Sequence, residues 1–129
     1  MSVIAKNNSV RISPRKVAEV AALVRGRSVA DALVILEHTP RRSAGVVANA
    51  IKSARANAEH NHSYKPDTLT ITEISVSAGP RLKRFRPAAR GRALRFARKS
   101  SHIRVVVDGQ VRVAKKTTAK TEETPEETK

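Results

Sequence analysis

Three segments in the first half of the chain repeat apolar residues at the three- and four-residue spacing of amphipathic helices. Ser13 followed by Pro14 is typical of an N-cap and a first helical position, and Gly26 is a natural stop for that helix. A second, shorter helix is predicted to end before Pro40, because the residue preceding a proline avoids the helical region. The third helix is predicted over about 41–59. The three apolar stripes are, in order, Val17, Val20, Ala21 and Val24, then Val29, Ala32, Leu33 and Leu36, then Ala44, Val47, Ala48, Ile51 and Ala58.

The second half of the chain changes to the two-residue alternation of strands. Threonines alternate with apolar residues up to Ile71, which is typical of a half-buried strand. The apolar phase then slips to Ile74, which indicates either a β-bulge near Thr72 and Glu73 or a break in the strand. The opening segment around residues 3–12 predicts a further strand. The apolar residues of a matching late strand are Ile103, Val105, Val107, Val111 and Val113.

The two later strands flank a basic segment in which Gly79-Pro80, Pro87 and Gly91 mark bends. This arrangement predicts one long antiparallel hairpin, extending over about 79–104, whose far end leaves the body. The predicted fold class is therefore α+β, with a compact body of about three helices packed on a small antiparallel sheet and a long protruding basic β-hairpin. The predicted domain is 1–113. Residues 114–129 hold four Lys and four Glu and nothing apolar larger than Ala, so we expect a disordered polar tail.

The positive charge is concentrated in the predicted hairpin. The chain has 26 Lys and Arg against 11 Asp and Glu, a net charge of +15. Ten of these cations, eight of them Arg, lie between Ile74 and Val107, where the sequence has no acidic residue. Such a segment repels itself unless counterions surround it, and Arg offers planar, bidentate donors to phosphate. The sequence therefore predicts a nucleic-acid partner.

Catalytic and metal chemistry find little support in the sequence. The chain has no cysteine, which excludes disulfides and thiolate sites, and it has no glycine-rich phosphate loop. The His60-x-His62 pair is half of a metal site at most, and a His near a helix end also suits the helix dipole. No apolar run is long enough for a membrane helix, and no secretory signal is apparent, so we expect a cytosolic chain. The prediction is a protein that is not an enzyme, with no metal and no cofactor.

Several motifs then occur in a fixed order: RISPRK at 11–16, VRGR at 24–27, TPRRSA at 39–44 and KSARANAEHN at 52–61. With Gly79-Pro80, the KRF at 83–85, the RGRA at 90–93 and the SHI at 101–103, they resemble the L twenty-two family of bacterial large-subunit ribosomal proteins over about residues 10–107. The resemblance implies a compact α+β body with a long β-hairpin. It also implies binding to 23S rRNA, a part in subunit assembly and a hairpin tip in the wall of the nascent-peptide exit tunnel.

The resemblance also implies the partners and the residues that contact them. The partners are 23S rRNA, neighbouring large-subunit proteins and the nascent polypeptide, on ribosomes in the cytoplasm, with no membrane and no small-molecule substrate. The implied rRNA-binding residues are Arg11, Ser13, Arg15, Lys16, Arg25, Arg27, Arg41, Arg42, Lys52, Arg55, Lys83, Arg84, Arg86, Arg90, Arg92, Arg95, Arg98, Lys99 and His102. The implied tunnel-lining tip is Arg86, Pro87, Ala88, Ala89, Arg90, Gly91 and Arg92. Ala88 departs from the family pattern, in which we expect Arg.

Two other classes remain open from the residues alone. A DNA-compacting architectural protein also uses a basic β-arm, which it inserts into the minor groove. A basic enzyme acting on RNA is the second alternative. A salt-stable dimer with equal affinity for DNA and RNA would favour the first class, and turnover by the purified protein would favour the second.

Overall fold

The first and third helices pack on one side of an antiparallel sheet, and the second helix packs mainly on the third, in the computed structural model, which describes residues 2–111. In chain order the elements are β1 (Val3–Val10), α1 (Pro14–Val24), α2 (Val29–His38), α3 (Arg42–His62), β2 (Thr70–Pro87) and β3 (Ala93–Asp108). Short 3-10 turns occupy Pro66–Thr68 and Ala89–Gly91. In the described chain the sheet has the order β1-β3-β2, so that the last strand is the central one. This architecture confirms the α+β prediction.

The apolar stripes predicted for the helices form the helical half of the core. The whole α1 stripe is buried, and in the other two helices only Leu33 and Ala48 remain partly exposed. Ser13 is the N-cap of α1 as predicted, but its side chain makes no capping hydrogen bond. The third helix ends three residues later than predicted, at His62. Its polar last turn persists because Ser63 adopts a left-handed conformation and the amide of the buried Tyr64 donates to the Ala58 carbonyl.

The phase slip in β2 is a β-bulge. Ile71 pairs with Val107 and Glu73 pairs with Val106, so Thr72 is the extra residue, and the strand continues through it. A second irregularity follows at Gly79-Pro80, where the sequence indicated only a bend. The late strand is shorter than predicted: it ends at Asp108, whose carboxylate accepts a hydrogen bond from the next amide.

Beyond Asp108, Val111 makes only an isolated bridge to Tyr64, so the predicted continuation of the strand to Val111 was wrong. The chain there lies beside residues 64 and 65, since the Lys65 amide also donates to the carbonyl of Gln110. Val113 and the predicted tail 114–129 lie outside the described residues, as does residue 112 at the end of the predicted domain.

The hairpin of β2 and β3 has two parts with different surroundings. From Ile71 to Val76 and from Ser101 to Val107 its inward side chains pack against α1 and α3. We call the remainder the arm: the seven residues 81–87, the seven residues 93–99 and the tip loop 88–92 between them. Every arm residue except Ala88 is exposed, although the ladder continues to the last pair, Pro87 with Ala93. At about 3.4 Å per residue, the arm extends roughly 24 Å from the body.

Candidate nucleic-acid interface

The cationic side chains predicted to bind RNA all lie on the surface. Each predicted Lys and Arg is exposed, whereas Ser13 and His102 are partly buried. The fold gathers these residues into two adjoining grooves and the arm, and leaves a smaller group apart.

The first groove lies where α1 and α3 begin. We call it the helix-start groove; it has a volume of about 510 Å³. Its lining residues are Arg11, Ile12, Ser13, Lys16, Arg41, Arg42 and Ser43. Four predicted cations from two distant parts of the sequence meet here, because the core packs the two helices beside each other. None of the lining residues is acidic.

The two helix starts add their own positive potential to this groove. In the described chain neither α1 nor α3 has an acidic residue in its first turn, and neither Ser13 nor Arg41 caps its helix with a side chain. The first amides of a helix have no partner within the helix, and the helix macrodipole places partial positive charge at that end. The groove therefore combines cationic side chains with helix starts that suit a phosphate.

One ion pair reaches this groove from its rim. The Arg41 guanidinium donates to Glu19 Oε2 at 2.8 Å, and both side chains are more than half exposed, at 58% and 60%. An exposed pair of this kind contributes at most about 1 kcal/mol. Arg41 has further N–H donors, so the pair orients its guanidinium and leaves donors free for a phosphate.

The second groove follows at the base of the arm. This hairpin-root groove, about 740 Å³ in volume, is lined by Ser9, Arg11, Ser13, Pro80, Leu82, Arg84, Ala97, Arg98, Lys99 and Ser100. Because Arg11 and Ser13 also line the helix-start groove, the two grooves form one continuous surface from α3 to the arm. Ser9, Leu82 and Ser100 were missed at the sequence level. Leu82 and Ser100 are placed by the irregular pairing at Gly79-Pro80, which the sequence indicated only as a bend. Ser9 is placed by a separate irregularity between Asn7 and Val10, where its φ is 57°.

Close backbone packing fixes the base of the arm. The Ser100 hydroxyl donates to the Pro80 carbonyl at 2.6 Å. A Cβ on Gly79 would lie 2.6 Å from Ser100 Oγ and 3.3 Å from His102 Nε2, so a side chain has no room there. The Ser9 amide donates to His102 Nδ1 at 3.0 Å. His102, predicted to bind RNA, is therefore held by β1 at the root of the arm.

The arm carries its charge beside exposed apolar side chains. Phe85 is 70% exposed and pairs across the ladder with Arg95, and the Arg86 guanidinium lies 5.8 Å from the centre of the Phe96 ring. Such a cation–π contact aligns the guanidinium without neutralising it. Lys83 and Arg84 line a shallow groove of about 540 Å³ with these aromatic rings.

The tip is a tight loop. The Ala88 amide donates to the Arg92 carbonyl at 2.8 Å, and Arg90 and Gly91 both have positive φ, 58° and 69°. A left-handed conformation is natural for Gly91 and unusual for Arg90. The loop holds the Arg90 and Arg92 side chains at the far end of the molecule, where both are exposed.

The remaining predicted residues make contacts within the body or lie apart from the two basic grooves. Arg25 donates to the Ile74 carbonyl at 3.0 Å, and Arg27 donates to the Leu23 carbonyl at 3.0 Å near the end of α1. Arg55 pairs with Glu59 one turn along α3 at 2.7 Å. Lys52 lines a separate groove between α2 and α3, and Arg15 is exposed without lining any of these grooves. The first three of these side chains therefore have a visible structural role.

Residues 2–111 were also compared with the requirements of a metal site and of a membrane-spanning helix. That part of the chain contains no group of three His, Cys, Asp or Glu residues placed to hold a metal ion. His62 instead packs edge-on against Tyr64, with ring centres 6.3 Å apart. None of the helices described is both long and apolar enough to span a bilayer.

Residues 5–108 match the model of the family described as ribosomal protein L22p/L17e. The chain belongs to this family. Three curated relatives, each named large ribosomal subunit protein uL22, agree with the match. The relative from Herpetosiphon aurantiacus is 52% identical over 76% of this chain and 87% of its own. The relative from Oceanobacillus iheyensis is 51% identical over 83% of this chain and 95% of its own. The relative from Clostridioides difficile is 49% identical over 76% of this chain and 88% of its own.

Family membership confirms the resemblance seen in the motifs. It favours the ribosomal interpretation over the DNA-architectural one, and it agrees with the prediction that the protein is not an enzyme, because the family consists of ribosomal proteins.

Proposed function

We propose that this protein is a structural constituent of the large ribosomal subunit, on ribosomes in the cytoplasm, and that it binds 23S rRNA through the helix-start groove, the hairpin-root groove and the arm. The observation that carries the proposal is the continuity of this surface, which runs from the start of α3 to the tip without an acidic lining residue in either groove. The names of the three relatives, all large-subunit proteins, support the choice of subunit.

The two grooves bind RNA by its backbone. Arg11, Lys16 and Arg42 supply charge to phosphates in the helix-start groove, and the starts of α1 and α3 add oriented amides. Arg84, Arg98 and Lys99 continue the contact at the hairpin root. Since these contacts are to phosphate, they position the protein on folded RNA and make affinity strongly dependent on salt. Outside the two grooves, further contacts to RNA come from Arg15, Arg25, Arg27, Lys52 and Arg55.

The arm serves assembly and reaches the exit tunnel. At roughly 24 Å in length it passes between RNA segments that it cross-links electrostatically, and so it helps the subunit assemble. Its tip, residues 86–92, then lies in the wall of the exit tunnel, where the nascent polypeptide passes Arg90 and Arg92. Neighbouring large-subunit proteins contact the parts of the body that RNA leaves uncovered.

Sedimentation of a cell extract tests the subunit assignment. We expect the protein to travel with the large subunit at moderate salt, and a protein found only at the top of the gradient would contradict the proposal. Binding to a 23S rRNA transcript tests the surface. The double variant Lys16→Ala/Arg42→Ala should lower the slope of log affinity against log salt by about two, one for each phosphate that is no longer neutralised. An unchanged slope would exclude the helix-start groove.

A further inference from the structure

The side of the sheet that faces away from the helices carries a basic row of its own. Strand alternation places Val3 and Ala5 of β1, and Ile103, Val105 and Val107 of β3, toward the core. Lys6 and Arg104 therefore lie on the opposite side, and they are direct partners across the ladder. Ser75 of β2 completes the same row as the partner of Arg104. We call this surface the outer sheet face.

The row belongs to a shallow groove of about 390 Å³ across all three strands. Its lining residues are Lys6, Asn8, Ser75, Ser77, His102, Ile103 and Arg104. It shares no residue with the helix-start groove or the hairpin-root groove. The side chains of its floor are short and polar, with serines on one strand and Asn8 on another, so a ligand can approach the backbone closely.

The two cations of this groove lie directly opposite each other. Like charges directly opposite each other in a sheet are destabilising, and here Lys6 faces Arg104 with both side chains exposed. Neither forms an ion pair with a carboxylate in the described chain. Glu73 is the nearest acidic residue along β2, one row away opposite Val106, and it does not line the groove. An anionic ligand between the two cations would remove the repulsion.

The imidazole in this groove is held in place. His102 Nδ1 accepts a hydrogen bond from the Ser9 amide, which leaves Nε2 as the ring's donor. His102 lies two residues before Arg104 along β3, and their partners on β2 are Ser77 and Ser75. Two cations, a fixed imidazole and three hydroxyl or amide side chains with no acid form a donor-rich surface of the kind that contacts phosphate and ribose.

We propose that the outer sheet face is a second RNA-backbone binding surface, in which Lys6 and Arg104 hold phosphates of an rRNA segment on the side of the sheet opposite the helices. Charge complementarity selects RNA over a protein partner, since the groove offers donors and positive charge and its walls carry no large apolar side chain apart from the inward Ile103. This inference rests on the proposed function and extends it: the body is held between RNA on both sides.

The test measures binding to a 23S rRNA transcript as a function of salt for Lys6→Ala, Arg104→Ala and the double variant. Each single change should lower the slope of log affinity against log salt by about one, and the double change by about two. Lys65→Ala is the matched control, because Lys65 is exposed and lines none of the grooves described. Thermal unfolding should show no loss of stability, since both side chains are exposed and removing either relieves the repulsion.

Three outcomes decide between the alternatives. An unchanged slope for the double variant overturns the second surface, and if Lys16→Ala/Arg42→Ala still lowers the slope, the proposed function stands. An unchanged slope for both double variants would contradict the proposed function itself. An unchanged slope together with poorer retention of Lys6→Ala/Arg104→Ala in large subunits would mean that a protein covers this face, which also overturns the inference.

Discussion

The two halves of the β2–β3 hairpin share one hydrogen-bonded ladder and differ in almost everything else. In the body half, Ile74, Ile103 and Val105 are buried against the helices, whereas in the arm half Leu82, Phe85 and Leu94 are exposed. The backbone pairing is unbroken along the arm, whereas the body half contains the β-bulge at Thr72. Ladder hydrogen bonds alone contribute little net stability, and an isolated two-stranded hairpin is marginal in water. The body therefore folds by its core, while the arm has the geometry of a strand pair without the apolar support.

Amide exchange should show the largest difference between the two halves. We expect body amides, such as that of Val105, to exchange only by global unfolding, and arm amides between 84 and 95 to open at close to no cost in the free protein. Self-repulsion among Arg84, Arg92 and Arg95 lowers arm stability further. On rRNA the arm should become protected. Equal protection of the arm and α3 in the free protein would show that the arm is rigid by itself.

Truncating a core side chain should give the next largest effect. Ile51 is fully buried in α3, so Ile51→Ala should lower the free energy of unfolding by about 2–5 kcal/mol. Phe85→Ala removes a larger side chain that is mostly exposed, and its effect should stay within about 0.5 kcal/mol. Urea unfolding measures both. A cost for Phe85→Ala similar to that of Ile51→Ala would mean that the arm packs against the body in solution.

The junction between the halves is tested by adding one methyl group. Gly79→Ala places a Cβ 2.6 Å from Ser100 Oγ and 3.2 Å from the Ser100 carbonyl carbon, and such overpacking should cost about 1–3 kcal/mol. Gly45→Ala is the matched control, because a Cβ there meets nothing within 4 Å and Gly45 lies inside α3. It should stabilise the protein by about 0.5–1 kcal/mol. In thermal unfolding we expect Gly79→Ala to lower the midpoint temperature and Gly45→Ala to raise it. A rise for both variants would show that the junction accommodates the added Cβ.

The smallest effect is expected from removing residues 114–129. That segment is neutral and polar in sequence, so truncation before Ala114 should leave both thermal stability and rRNA affinity nearly unchanged. Binding at fixed salt and thermal unfolding measure the two quantities. A several-fold loss of affinity would instead assign an RNA contact to Lys115 and Lys116.

The sequence predicted those parts of the fold that repeat at fixed spacing. The stripe of α1 is a local pattern with one structural solution once a core must be buried. The phase slip at Thr72 was also visible in the sequence, but the strand pairing was needed to distinguish a β-bulge from a break. The predicted end of the third helix was wrong by three residues, because the turn at Ser63 depends on the position of Tyr64 and not on an apolar repeat. Propensity in the last polar turn is too weak to decide such a boundary.

The candidate interface was predictable in composition and not in arrangement. The charge run of the arm is contiguous in sequence, so its residues could be named without a structure. The meeting of Lys16 with Arg42 follows from how α1 packs beside α3, and the bond from Arg25 to the Ile74 carbonyl likewise depends on the packing of α1 against the sheet. No spacing rule connects positions that tertiary contacts bring together. The placement of Arg104 beside Lys6 also required the strand register.

The central position of β3 sets the order in which this chain acquires its structure. Both β1 and β2 pair with β3, and Val3 of the first strand pairs with Val107 of the last. During synthesis we expect the helices to form early from local contacts. The sheet beneath them lacks its central strand until β3 has emerged. Pairing the first strand with the last closes the longest loop in the sheet, so this final step has the largest loop-closure cost. We therefore expect this protein to reach its native state in one late step, with its apolar strands unpaired until then.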